Sequence, residues 1–445
     1  MLVLDLHAAR QDSRCDSSEY NDTLDSVLRT SLFLGDPAFI PLLHRRAAWW
    51  DSNRIRSWFL EKGYTLYHRF PSEFDYAAGM YPVSPEQDER IFPFASHERS
   101  DIPTNYIPPL YGYTGSVGNI AFAQDAQGQH VAVKAVLDGS EEFRILQYLH
   151  NQGVPRSMDD FHYVIPVLDL LACEGHWLAV MPRFVSNATS TQPSESRQSQ
   201  GLTYLHKHRI VHGDIKSDNI LVDHVNIDLY DFYSPYRQSL RSQGELTYAF
   251  YDFGCSTMFS PSMSLEECRL PSCVSYNTLY DQVPGDTLQG EIDFNPFAFD
   301  VGMLGVMFCT EFQHVTRAVP MLAPLFDRMT TRNIPRRFKA SEALRFFEEH
   351  VIPLTPQHVL SLAAPDLPFS PVPYDYYDRW KYLDPEFVEK WGVYREPPVP
   401  RYIRFLREIC LYPRVLYMVG FIHRVARFLC RGWTILRMSG WRRSM

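Results

Sequence analysis

Over residues 110–181 apolar positions come in short runs broken by polar turns, and in longer helical repeats on either side. From about Leu110 the chain reads as strand, glycine-rich turn (Gly112 to Gly118) and strand (Ile120-Ala121-Phe122-Ala123). A polar hairpin tip (Asp125 to Gln129) and a third strand (Val131 to Val136) follow. Glu141 to Leu149 has helical periodicity, and the apolar runs Tyr163 to Leu171 and Trp177 to Met181 read as a buried pair of strands. Downstream, Asp300 to Met307 predicts a long apolar helix, and Leu322 to Phe347 predicts two more. Upstream, Ala47-Ala48-Trp49-Trp50 and Ile55 to Leu60 have the aromatic spacing of an amphipathic helix packed on something larger. Sheet-forming pattern first and helix-forming pattern second predicts an α+β fold.

Composition narrows the picture. A chain of 445 residues, 45% hydrophobic and 14% aromatic, can bury a large core, either as one domain with extensions or as two or three domains. The net charge of −9 argues against a nucleic-acid partner. It is uneven: residues 401–445 hold ten Arg and one acidic residue, Glu408, a net +9, which leaves −18 on the first 400. Eight scattered cysteines without a Cys-x-x-Cys pair point to reduced thiols. Asp5 interrupts the only apolar run of the first residues, so no signal peptide is read there and a cytoplasmic or nuclear location is expected.

The chemistry is concentrated in His212-Gly213-Asp214-Ile215-Lys216-Ser217-Asp218-Asn219 and the later Asp252-Phe253-Gly254. A polar turn between a helix and a strand accounts for an Asp and an Asn, but not for all these offsets together. Phosphoryl transfer accounts for the set. Asp214 orients a hydroxyl, Lys216 faces the moving phosphoryl group, and Asn219 and Asp252 hold magnesium. Gly115 and Gly118 would let backbone N–H groups approach phosphates, although a glycine-containing hairpin turn is an equal reading of them alone.

Together with Val131-Ala132-Val133-Lys134, these motifs resemble the eukaryotic protein kinases, and among them divergent kinase-like proteins of fungi. The resemblance covers about residues 108–350. It implies a bilobal fold with a small β-rich N-lobe (108–184) and a larger α-helical C-lobe (185–350). It makes ATP and Mg2+ the cofactors and a Ser/Thr hydroxyl of a protein the acceptor. It makes Lys134 the grip on the α- and β-phosphates, with Glu142 as its partner and Glu141 as the alternative. Asp300 matches the helix Asp that bonds the catalytic-loop backbone. Arg337 matches a large-lobe Arg whose carboxylate partner is sought here in Glu291, because no Ala-Pro-Glu motif exists. Gly213 replaces the Arg that reads a phosphorylated activation loop, which implies activity without that control.

Several features depart from the family. Tyr113 stands at the first glycine of the loop, with Gly112 one residue early. Residues 185–200 are rich in Ser, Thr, Gln and Asn, so one helix is expected to be absent and the next short. His224 to Leu246 is an insertion expected to form a surface hairpin. Residues 1–107 form an N-terminal extension, 351–400 a Pro- and aromatic-rich extension, and 401–445 a basic amphipathic tail. Arg424, Arg427 and Arg431 recur at helix-face spacing in that tail. It reads either as a helix on an anionic membrane or acidic partner, or as a helix docked on the acidic body. Two other functions stay open: a pseudokinase scaffold, favoured by the altered glycine loop, and a small-molecule phosphotransferase, against which Lys216 and Asp252-Phe253-Gly254 weigh.

Overall fold

A computed structural model describes residues 39–69, 80–83, 91–97, 118–186, 195–225, 235–272, 283–287, 289–355, 372–410, 412, 414–416, 418–423 and 425–426. The fold is mixed α+β, with a five-stranded sheet and several helices. The chain divides into two compact units, 1–201 with 217–258, and 202–216 with 259–445.

The first unit begins with helices α1 (Phe39–Asp51) and α2 (Asn53–Glu61). They are separate because Ser52 leaves the helical conformation and caps α2, its Oγ accepting from Ile55 N at 3.4 Å. The sheet runs β1 (Thr65–Leu66), β2 (Ile120–Gln124), β3 (His130–Leu137), β5 (His176–Pro182) and β4 (Asp169–Cys173), in that spatial order. The turn between β2 and β3 is tied by Asp125, whose Oδ1 accepts from the N–H groups of Gln127 and Gln129 at 2.9 and 2.8 Å. Trp49, Trp50, Ile55 and Phe59 of α1 and α2 pack on Ala121, Ala123, Val131, Val133, Leu178 and Val180, one face of this sheet. Helix α3 (Glu141–Asn151) is capped by Ser140 and buries Phe143, Ile145, Leu146 and Leu149 along one stripe.

Two expectations for this unit are corrected, and a third, the strand around Leu110, lies outside the described residues. The edge strand beside β2 is Thr65–Leu66, supplied from far upstream. The run from Tyr163 becomes a strand only at Asp169; before that, Ile165 N bonds Phe250 O at 2.9 Å. The insertion is neither wholly a hairpin nor wholly on the surface. The strands that flank it pair antiparallel, Val222 opposite Tyr248, but within it Pro235–Ser242 is helical and Arg237 is buried, donating to His224 O at 2.7 Å.

Helix α4 (Glu195–Lys207) is also longer than its polar sequence suggested, at 13 residues. Gln198 and Ser199 of its first turns are buried, so polarity there does not mean exposure. Within the first unit, Gly201 permits a close approach. A Cβ there would sit 2.7 Å from Tyr163 O and 2.8 Å from Phe250 Cδ2.

In the second unit, α5 (Pro296–Phe312) is buried almost all round, which its continuous apolar sequence requires. Asn295 caps it, Oδ1 accepting from Ala298 N at 2.9 Å, and Pro296 occupies the first turn where its missing N–H costs nothing. Helices α6 (Leu322–Thr330), α7 (Ala340–Phe346), α8 (Pro385–Trp391) and α9 (Arg401–Cys410) follow. The first part of the basic tail docks on this unit: Val419 packs on Gly290, and His423 Nδ1 lies 2.7 Å from Gly290 O. Tyr402, Phe405, Phe421 and Ile422 stay exposed. Arg424 and residues 427–445 lie outside the described residues. Among the described residues no helix is long and apolar enough to cross a membrane.

Candidate functional site

In the first unit the predicted residues converge on Lys134. It sits on β3 opposite Ile120 of β2 and Ala179 of β5, on the sheet face away from Val133. Lys134 is 4% exposed, and its ammonium reaches Glu142 Oε1 at 2.5 Å and Asp252 Oδ1 at 2.7 Å. Tyr251 lies beside it, ring centroid 5.3 Å from Nζ. Burial alone would lower the Lys134 ammonium, but Tyr251, Glu142 and Asp252 together outweigh it and hold it well above its ordinary value. Glu142 is pushed up from 4.5, first by burial and then by the like charge of Asp252, against the pull of Lys134. The residue paired with Lys134 is therefore Glu142; Glu141 instead pairs with Arg144 at 2.9 Å.

Asp252 follows β7 (Tyr248–Phe250) in the left-handed conformation, φ 66°. This conformation is uncommon for a residue with a Cβ, although Asp tolerates it better than most. Its Oδ1 also accepts from Gly254 N at 3.2 Å, which fixes the carboxylate beside Lys134. Asn219 is buried just before β6 (Ile220–Val222), and its carbonyl accepts from Tyr251 N at 3.0 Å. That bond, beside the pairing of Ile220 with Phe250, sets Asn219 and Asp252 at neighbouring ends of two paired strands. A carboxylate and a carboxamide are hard oxygen donors that suit magnesium, an ion that keeps several waters and takes few protein ligands. Among the described residues no group of three His, Cys, Asp or Glu could hold a metal by itself.

Gly118 lies against α1: its carbonyl accepts from Trp50 Nε1 at 3.2 Å, and Leu43 and Arg46 pack over it. Gly115 lies outside the described residues.

One feature of the Lys134 face had no signal in the sequence pattern. Phe122 and Ile120 share that face, and Tyr67 and Met80, both fully buried, pack on them and on Ala132. Arg183 lies under this patch, its guanidinium 4.7 Å from the Phe122 ring centroid and 2.9 Å from Tyr67 Oη. The Tyr67 hydroxyl also bonds His130 Nδ1. Burial, assisted by Arg183, drives the His130 imidazole down from 6.5 to about 3, so it is neutral throughout the physiological range. Only isolated Tyr, His and Arg positions in the sequence encode this cluster, and no period or motif marks them.

In the second unit Asp300 of α5, wholly buried, organises the turn that carries Asp214. Its Oδ2 accepts from His212 N at 2.8 Å and its Oδ1 from Gly213 N at 2.9 Å, while His206 Nε2 lies 3.1 Å from Oδ2. Three polar groups thus satisfy one buried carboxylate. Gly213 has φ 75°, so a side chain there would strain the backbone that points its N–H at Asp300. Phe297 stacks edge-on against His206, centroids 4.9 Å apart, and packs with Val211 and Cys268 beneath the turn. Asp214 Oδ2 and Lys216 Nζ are 3.1 Å apart, the carboxylate mostly shielded and the ammonium over a third exposed. A shielded carboxylate with a neighbouring, partly exposed cation can accept a proton and neutralise an incoming anion.

Arg337 is buried, but its ionic partner is Asp286, and it also donates to Ala298 O at 2.9 Å. Glu291 is not that partner; its Oε2 accepts from Gln289 N at 2.9 Å. No protein-family model and no curated protein matches this chain.

Proposed function

We propose that this protein is an ATP-dependent phosphotransferase with a bilobal protein kinase-like fold, transferring the γ-phosphate of ATP to a Ser/Thr hydroxyl of a protein. The observation that carries the reading is the buried Lys134 held between Glu142 and Asp252. Burying one ammonium against two carboxylates is costly for stability alone, and such clusters concentrate where charge is handled. In this reading Lys134 grips the phosphates. Asp252 and Asn219 hold Mg2+, which would shield the phosphate charge. Asp214 takes the acceptor proton, and Lys216 neutralises the transferred group. Asp300 acts indirectly, by fixing the backbone on either side of His212.

A second reading, a pseudokinase scaffold, is favoured by one observation. Tyr67 and Met80 already cover the part of the Lys134 face formed by Phe122, which narrows the room for a base. Purified protein tested with Mg·ATP by thermal shift and by γ-phosphate transfer separates the two. The enzyme reading expects a rise in melting temperature and labelled product. The scaffold reading expects the rise without product. Neither signal would reject both.

A further inference from the structure

In the second unit a cavity of about 220 Å3 opens where residues 374–380 and 395–407 pack on α6. That is below the roughly 300–1,000 Å3 of sites for drug-sized ligands, so its occupant is small. Its walls carry five arginines and four carboxylates, a surplus of one positive charge.

The carboxylates are all taken. Asp327 accepts from Arg379 at 2.6 Å, and from Trp380 Nε1 and Glu396 N at 2.8 Å each. Glu396 accepts from Arg332 Nε at 2.8 Å and from Thr331 Oγ1 at 2.5 Å. Asp378 is held by Arg395 through both oxygens at 3.0 Å, and Asp375 by Arg407 at 2.5 Å.

The surplus charge is cationic. Among the described residues Arg404 has no carboxylate partner, and it lies over the Tyr376 ring, 5.0 Å from its centroid. Arg332 Nη1 and Arg379 Nε are buried and make no hydrogen bond, and Arg379 as a whole is only 6% exposed. Buried guanidinium N–H groups without acceptors are costly, so the acceptors around the cavity do not saturate its arginines.

We propose that this cavity is a binding site for a phosphoryl group, carried either by free phosphate or by a phosphorylated side chain. Arginine suits it because its planar fork matches phosphate oxygens, and a phosphoryl group brings the acceptors and negative charge that the exposed guanidinium of Arg404 lacks. The proposal is independent of the ATP reading, since the cavity lies wholly within the second unit and uses none of the residues assigned to nucleotide.

Calorimetric titration of the full chain with inorganic phosphate and with O-phosphoserine, at ionic strength fixed with sodium chloride, tests it. Saturable binding is expected, weakened roughly tenfold or more by Arg404→Gln. Arg404 is exposed and, among the described residues, pairs with no carboxylate, so this variant leaves no buried charge unpaired. Excess Mg·ADP should leave the isotherm unchanged. Tighter binding of phosphoserine assigns the site to a phosphorylated side chain, and equal binding assigns it to free phosphate. Three results each overturn the proposal: no saturable heat beyond chloride, equal affinity in Arg404→Gln, or displacement by Mg·ADP.

Discussion

Lys134 Nζ lies 2.7 Å from Asp252 Oδ1, and the same ammonium is shared with Glu142. Replacing it with Met leaves two carboxylates facing each other without their cation. Lys134→Met should cost about 3 kcal/mol, the low end for breaking a buried pair, because Asp252 is over a third exposed. Adding Asp252→Asn should recover part of that loss by removing the repulsion. Urea unfolding of the single and double variants measures it; a double variant less stable than Lys134→Met would contradict the coupling.

Gly201→Ala gives a test in which the sign decides. Helix propensity alone predicts about 1 kcal/mol of stabilisation in the middle of α4. The structure predicts the opposite, because the new Cβ would stand 2.7 Å from Tyr163 O and 2.8 Å from Phe250 Cδ2. Overpacking of this kind costs about 1–3 kcal/mol, and a lower melting temperature is expected.

The pH dependence of stability should carry the signature of His130. Its folded value is depressed from 6.5 to about 3, so the unfolded chain binds the proton more readily between those limits. The stabilisation is therefore complete above pH 6.5 and is lost as pH falls towards 3, with a limiting slope of about 1.4 kcal/mol per pH unit. In His130→Gln that part of the slope should vanish. Unfolding free energies from pH 7 to pH 4 for both proteins would show it, and parallel curves would refute it.

Asp300→Ala should be more damaging than its distance in sequence from Asp214 suggests. It strips the acceptor from His212 N, Gly213 N and His206 at once. Each buried donor left unmatched costs about 1–3 kcal/mol, so a loss of about 3 kcal/mol or more is expected by urea unfolding. Any phosphotransfer should fall with it, since the turn bearing Asp214 loses its anchor.

The parts of this fold that were readable were those whose pattern is local. Short apolar runs bounded by turns gave β2, β3 and β5, helical periodicity gave α3, and continuous apolarity gave α5. The pairing of Lys134 with Glu142 and the bonds of Asp300 to the Gly213 turn also follow positions singled out from sequence. What was not readable depends on distant partners. β1 has only two residues, too few to show a period, and is defined by its pairing with Gln124 and Ala123. The first turns of α4 bury Gln198 and Ser199, so their polarity misled. Arg337 found Asp286, which no motif marks, and Tyr67 and Met80 reached the Lys134 face from a segment with no matching pattern.

The central claim is that Asp214 accepts a proton during phosphoryl transfer. The most direct measurement is transfer of the γ-phosphate from Mg·ATP by the wild-type chain and by Asp214→Asn, with nucleotide binding measured in parallel. The account predicts transfer by the wild type, its loss by about 10²–10⁴-fold in the variant, and nearly unchanged ATP affinity. Equal transfer by the two proteins, or none by the wild type while it binds ATP, would contradict it.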